Sequence, residues 1–107
     1  MLLTGLNYIG FSLSEKTANT FQAFNPASNT DLPEKFSLAT DLELLKAISL
    51  AENAFKIYRD TRSSAKADFL DAIATEILAL GDSLIERCAS ETGLTIARLT
   101  GERQRTC

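Results

Sequence analysis

The stretch from Thr40 to Tyr58, TDLELLKAISLAENAFKIY, decides how this chain is read. Before it, apolar residues come in short bursts between turn-formers. From Thr40 onward they recur every three or four positions. Leu44, Ile48, Ala51, Phe55 and Tyr58 fall on one helical face, and Leu45 and Ala54 widen it. The opening Thr40-Asp41-Leu42-Glu43 fits a capping box, in which the threonine hydroxyl accepts from the third backbone N–H and the glutamate reaches back. Asp41 and Glu43 also suit the positive end of a helix dipole. The spacing predicts a helix over 41–58. Glu43 and Lys46 stand one turn apart, placed to pair for roughly a few tenths of a kcal/mol.

Downstream, Arg59-Asp60-Thr61-Arg62-Ser63 reads as a polar connection. A second helix is expected from about Ser64, with Phe69, Ile73, Ile77 and Leu80 on one face and Leu70, Ala74 and Leu78 beside them. Gly81-Asp82 interrupts it. Glycine costs a helix interior about 1 kcal/mol relative to alanine, and Asp is a good N-cap. The pair therefore marks either a kink or the end of one helix and the start of another. Leu84, Ile85 and Cys88 continue an apolar face. Gly93 is placed to close the run in a left-handed conformation. Thr95 then opens a last helix with Ile96 and Leu99 on its apolar side, in ETGLTIARLTGERQRTC. No glycine cap, proline or polar tail follows, so this helix is expected to run on past Cys107.

Upstream, Leu6 to Phe11, Thr20 to Phe24 and Lys35 to Ala39 read as short strands. Asn25-Pro26-Ala27-Ser28-Asn29 is a turn signal, since proline fixes one dihedral and Asn tolerates unusual ones. Phe21 and Ala23 would share one strand face, and Phe36 and Leu38 would oppose Lys35 and Ser37. That suggests an antiparallel hairpin, which is marginal in water without something to pack on. The expected fold is short antiparallel strands and turns over 1–40, then three or four α-helices over 41–107.

Composition narrows the function classes. A chain of 107 residues is at most one domain. Its net charge of −3, with both signs interspersed, argues against nucleic-acid binding, which needs a basic stripe against phosphates. No apolar run approaches the ~20 residues that span a bilayer. MLLTGLNYIGFSLSEK has no basic segment before its apolar residues and is not expected to be a signal peptide. Cys88 and Cys107 form no disulfide framework, and the expected compartment is the reducing cytoplasm. There is no histidine, which removes Ser–His–Asp and Cys–His catalysis and the usual zinc sites.

The remaining reactive residues each have an ordinary reading. Cys107 could gain an electropositive neighbour in Arg103, one turn away, but reads as a small residue near a helix end. Cys88 lies on the apolar stripe and reads as core. Asp68 with Asp71, and Asp82 with Glu86, stand at helical spacing for acid–base pairs, yet fall on polar faces. Arg98, Arg103 and Arg105 could meet a phosphate, but Arg98–Glu102 and Glu102–Arg105 are ordinary helix-surface pairings. Gly5, Gly10, Gly81, Gly93 and Gly101 are scattered and form no phosphate-cradling motif. No catalytic, cofactor-binding or metal-binding residue is assigned.

Taken in order, the landmarks resemble the N-terminal segment of an aldehyde dehydrogenase. They are Phe24-Asn25-Pro26-Ala27, Ala39-Thr40, Ala54-Phe55, Tyr58-Arg59, Phe69-Leu70, Ile73-Ala74 and Glu76-Ile77. Leu80-Gly81-Asp82, Leu84-Ile85-Glu86-Arg87, Glu91-Thr92-Gly93-Leu94, Ala97-Arg98-Leu99, Gly101-Glu102-Arg103 and Arg105-Thr106 follow. The resemblance runs from about Gly5. The ending and the Leu-Gly-Asp junction are most similar to the NADP-preferring branch of 2-oxoglutarate semialdehyde (2,5-dioxopentanoate) and fatty-aldehyde dehydrogenases. Asn7-Tyr8-Ile9-Gly10 points towards the semialdehyde group. Ser28-Asn29, Lys66 and Gln104 depart from the usual pattern.

The resemblance implies an α/β parent several times longer that oxidises an aldehyde to an acid. There a cysteine thiolate attacks the carbonyl, hydride passes to NADP+ or NAD+, and a glutamate activates water. The implied catalytic and nucleotide-binding positions lie beyond residue 107. This chain is then a single incomplete segment, 1–107, at the N-terminal part of the cofactor-binding domain. Its expected partners are an aldehyde substrate, the remainder of the parent and further subunits of a homo-oligomer, and by itself it would bind no cofactor. A second reading is a small helical module that dimerises or takes a partner through its apolar stripe.

Overall fold

A computed structural model describes residues 3–107. The elements are β1 (Tyr8–Ile9), β2 (Ser12–Leu13), β3 (Thr20–Asn25), β4 (Thr30–Ser37), α1 (Asp41–Tyr58), α2 (Ser63–Ala79), α3 (Gly81–Thr92) and α4 (Ile96–Thr106). β1 pairs with β2, and β3 with β4, as two antiparallel hairpins. The order of strands then helices is the expected one. The chain divides into two compact units. One holds the residues up to Gln22 with Pro33–Thr61, and the other holds Ala23–Leu32 with Arg62–Cys107.

In the first unit, the strand expected through Phe11 is cut short. Gly10 has φ 65°, which breaks an extended run. The chain doubles back there and pairs Tyr8 with Leu13 and Ile9 with Ser12. α1 begins as its sequence dictates. The Glu43 N–H donates to Thr40 Oγ1 at 3.2 Å, and the Thr40 N–H donates to Glu43 Oε2 at 2.8 Å. The helix occupies the predicted span. Capping settles the fate of the Glu43 carboxylate. The Thr40 backbone N–H holds its pKa below the ordinary glutamate value, and Lys46 adds only through-space attraction.

β4 starts at Thr30, well before Lys35, and stops at Ser37. The turn is tighter than the sequence suggested. Asn25 Oδ1 accepts from the N–H groups of Ala27 and Ser28, and Asn29 sits at φ 58°. Pro33 is tolerated because a two-stranded sheet has a free edge on each strand. Phe21 stacks on Phe36 at 5.6 Å, as the hairpin reading implied. Ser37 corrects that reading. The alternation sets it with Lys35, opposite Phe36 and Leu38, yet it is only 4% exposed. The N-terminal segment crosses it. Ser37 N–H donates to Gly5 O at 2.7 Å, its carbonyl accepts from Asn7 Nδ2, and its Oγ accepts from Thr17 N–H.

In the second unit, Gly81 resolves the kink-or-break alternative as a break. Its φ of 62° ends the path of α2 and begins α3. Asp82 does not cap. It lies inside the first turn of α3, while Ser83 Oγ donates to Leu80 O at 2.7 Å. Gly93, at φ 70°, closes α3 by donating to Ala89 O. Thr95 caps α4 by accepting from Arg98 N–H. α3 and α4 pack together around Ile85 and Leu99, the only hydrophobic residues classed as buried among the described residues. Arg103 Nη1 reaches the junction and donates to Gly81 O at 2.9 Å. Among the described residues, no helix is long and apolar enough to cross a membrane.

Candidate functional site

The two thiols lie on different helices or helix ends, Cys88 within α3 and Cys107 just after α4. Cys107 is exposed, and its N–H donates to Arg103 O. The Arg103 guanidinium, the neighbour considered for Cys107, donates to the Gly81 carbonyl. Cys88 is half-buried on α3 and both cysteines are free. Seven residues of helix separate Gly81 from Cys88, or roughly 10 Å at the usual rise per residue. Arg103 therefore ties the end of α4 to a level well away from Cys88.

Asp68, Asp71, Asp82 and Glu86 are all exposed, in keeping with solvated charge. Among the described residues, no cluster of three or more His, Cys, Asp or Glu side chains could hold a metal. Two of the three arginines of α4, Arg98 and Arg105, are paired within their own helix. Arg98 Nε donates to Glu102 Oε1 at 3.0 Å, and Arg105 pairs with the other oxygen of the same carboxylate. Arg98 first, then Arg105, hold the Glu102 pKa below the ordinary carboxylate value. Arg87 makes the same type of bond, Nε to Glu91 Oε1 at 2.6 Å. This pair went unremarked in the sequence, although its i,i+4 spacing announces it.

The described glycines are not gathered into one turn. A phosphate cradle needs free backbone N–H groups in a glycine-rich turn leading from a strand into a helix. The glycines have other work here. A Cβ on Gly5 would lie 2.0 Å from Lys35 O, so that glycine admits a neighbouring strand rather than a ligand. Gly81 and Gly93 redirect helices.

What the fold does present is uncovered apolar surface. Neither α1 nor α2 has a single buried residue. Phe55 is 61% exposed and Phe69 53%. In the first unit, Tyr8, Phe11, Leu50, Ala54 and Ile57 border a hollow of about 740 Å³. Beside it lies a hollow of about 420 Å³ of mixed lining, in which Lys16 and Lys46 stand with Glu15 and Glu43, so its charges balance. In the second unit, Ile77, Leu80, Leu84, Cys88 and Leu99 form a groove of about 320 Å³, with Arg103 also in its lining. Sequence periodicity marked these stripes as apolar. It did not show that the chain's own elements leave them open. These surfaces can hold apolar polypeptide, and they offer no nucleophile–base pair.

Residues 13–107 match the aldehyde dehydrogenase family. Alpha-ketoglutaric semialdehyde dehydrogenase 2 of Azospirillum brasilense is 46% identical over 107 residues, covering 99% of this chain and 20% of the relative. Alpha-ketoglutaric semialdehyde dehydrogenase of Acinetobacter baylyi is 38% identical over 101 residues, covering 94% of this chain and 19% of the relative. The chain thus spans about a fifth of the length of these curated relatives.

Proposed function

This chain belongs to the aldehyde dehydrogenase family, and we propose that it serves as the N-terminal segment of a longer, NADP-linked enzyme that oxidises 2-oxoglutarate semialdehyde to 2-oxoglutarate. The observation that carries the reading is identity of 46% along nearly the whole chain to a relative named for that substrate, matched over only 20% of its length. In this reading the segment is the outer part of the cofactor-binding domain. The nucleophilic cysteine, the water-activating glutamate and the NADP-holding residues belong to the remainder of the enzyme. That remainder works in the cytoplasm as a homo-oligomer. Residues 3–107 contribute packing and position, which agrees with their open apolar faces and with arginines already paired on α4.

The test is a chimera. The matching segment of the Azospirillum brasilense enzyme is replaced by this chain, and oxidation of the semialdehyde is followed by NADPH formation. The expected result is activity within about tenfold of the parent, with none from this chain alone; a tenfold change corresponds to only about 1.4 kcal/mol of transition-state free energy. A chimera that folds and oligomerises like its parent but does not turn over would contradict the proposal. So would aldehyde oxidation by the isolated chain.

A further inference from the structure

The N-terminal arm, residues 5–17, is held within the first unit chiefly by polar groups. Asn7, Ser14 and Thr17 are half-buried, whereas the two aromatic residues of the arm, Tyr8 and Phe11, are exposed. Gly5 O accepts from the Ser37 N–H, Asn7 Nδ2 donates to Ser37 O at 3.3 Å, and the Thr17 N–H donates to Ser37 Oγ at 3.3 Å. The hairpin inside the arm is closed by a reciprocal pair. The Ser14 N–H donates to Asn7 O at 2.8 Å, and Ser14 Oγ accepts from the Asn7 N–H at 3.0 Å. At the tip of that hairpin, Gly10 lies against α1, so close that a Cβ there would stand 3.1 Å from Leu50 Cδ1.

Glu43 stands seven residues before Leu50 on α1, or roughly 10 Å along the helix. Its Oε2 accepts from the Thr40 N–H at 2.8 Å and from Thr40 Oγ1 at 3.1 Å. A carboxylate can accept more than two donors. Ser14 lines the same hollow as Glu43, and its hydroxyl, having accepted from Asn7, still has a proton to give. The Thr40 backbone N–H first, then the Thr40 and Ser14 hydroxyls, hold the Glu43 pKa below its ordinary value. The other charges lining this hollow are Lys46 from α1 and Glu15 and Lys16 from the segment after β2, while β1 brings only Ile9. Donors then run one way, from the Asn7 N–H to the Ser14 hydroxyl to the carboxylate, and hydrogen bonds in such a series polarise one another.

We propose that Glu43 is a latch: besides capping α1, its carboxylate takes the Ser14 hydroxyl and holds the N-terminal arm, so that arm and first helical turn loosen together when the charge is lost. The latch is closed at neutral pH. It opens as pH falls through the folded value of Glu43, which lies below 4.5.

Amide exchange in the 107-residue chain, followed by NMR and divided by the intrinsic rate at each pH, tests this. Near neutral pH, Glu43→Gln should speed exchange at the Asn7, Ser14 and Ser37 amides about threefold, the size that one exposed charged contact supports. That substitution touches none of the arm's own bonds. Asp41→Asn removes a neighbouring charge from the same helical turn and should leave those amides unchanged. Acid should produce the same rise in the unaltered chain and add little in Glu43→Gln. Arm amides unmoved by Glu43→Gln would overturn the latch. So would an acid effect that persists in Glu43→Gln and disappears in Glu15→Gln, because the arm's own carboxylate would then be responsible. Arm amides that exchange at unprotected rates near neutral pH would overturn it as well, since nothing would then be held.

Discussion

One glycine and one serine carry more of the first forty residues than their size suggests. Gly5 lies at φ 69° with Lys35 O where a Cβ would sit, and its carbonyl receives the buried Ser37 N–H. Gly5→Ala should therefore cost more than the ~1–3 kcal/mol of a left-handed alanine alone. Hydrogen exchange at the Ser37 amide is the direct readout, and its protection should be lost. Gly101 is the opposite case. It is helical, exposed, and would meet nothing within 4 Å. Gly101→Ala should raise helix stability by about 1 kcal/mol, seen as increased helicity by circular dichroism. Ser37 shows where sequence reading stops at this scale. Alternation assigns a face, but only the crossing of the N-terminal segment buries it. A contact between residues thirty positions apart leaves no periodic trace.

Helix boundaries were the legible part of the elements, because their causes are local. The Thr40–Glu43 capping box, the left-handed Gly93 and the Thr95 cap each act within four residues of themselves. Thr40→Ala should destabilise α1 by ~1 kcal/mol, measured as fraying of its first turn by amide exchange. Strand limits were less legible. The turn at Gly10 and the early start of β4 depend on dihedral choices that several sequences tolerate. Both cap and surface carboxylates give a pH dependence of stated sign. Glu43 and Glu102 have lowered pKa values in the folded chain. Below its ordinary value of 4.5 the unfolded glutamate binds the proton more readily than the folded one. Stability therefore rises with pH through that region. The contribution is complete above 4.5 and is lost as pH falls through the lower folded values. Glu43→Gln and Glu102→Gln should each flatten the helicity-versus-pH curve on the acid side.

At the scale of the whole molecule, the apolar stripes were readable as soon as the helices were, yet the candidate site was not. A stripe at helical spacing predicts burial, and periodicity cannot say by what. Here much of the stripe on α1 and α2 stays exposed, including Leu44, Ile48, Phe55, Phe69 and Ile73. The isolated chain should therefore bind a hydrophobic dye and unfold with weak cooperativity, as a state with secondary structure but incomplete packing does. Dye silence with a sharp, monomeric transition would count against the need for a covering partner. The most direct test of the account is to read the source DNA past the Cys107 codon. The account predicts a frame continuing for about four times the present length, carrying a nucleotide-binding segment and a later cysteine. A stop codon directly after Cys107, with a chain of this length made in the cell, would contradict it.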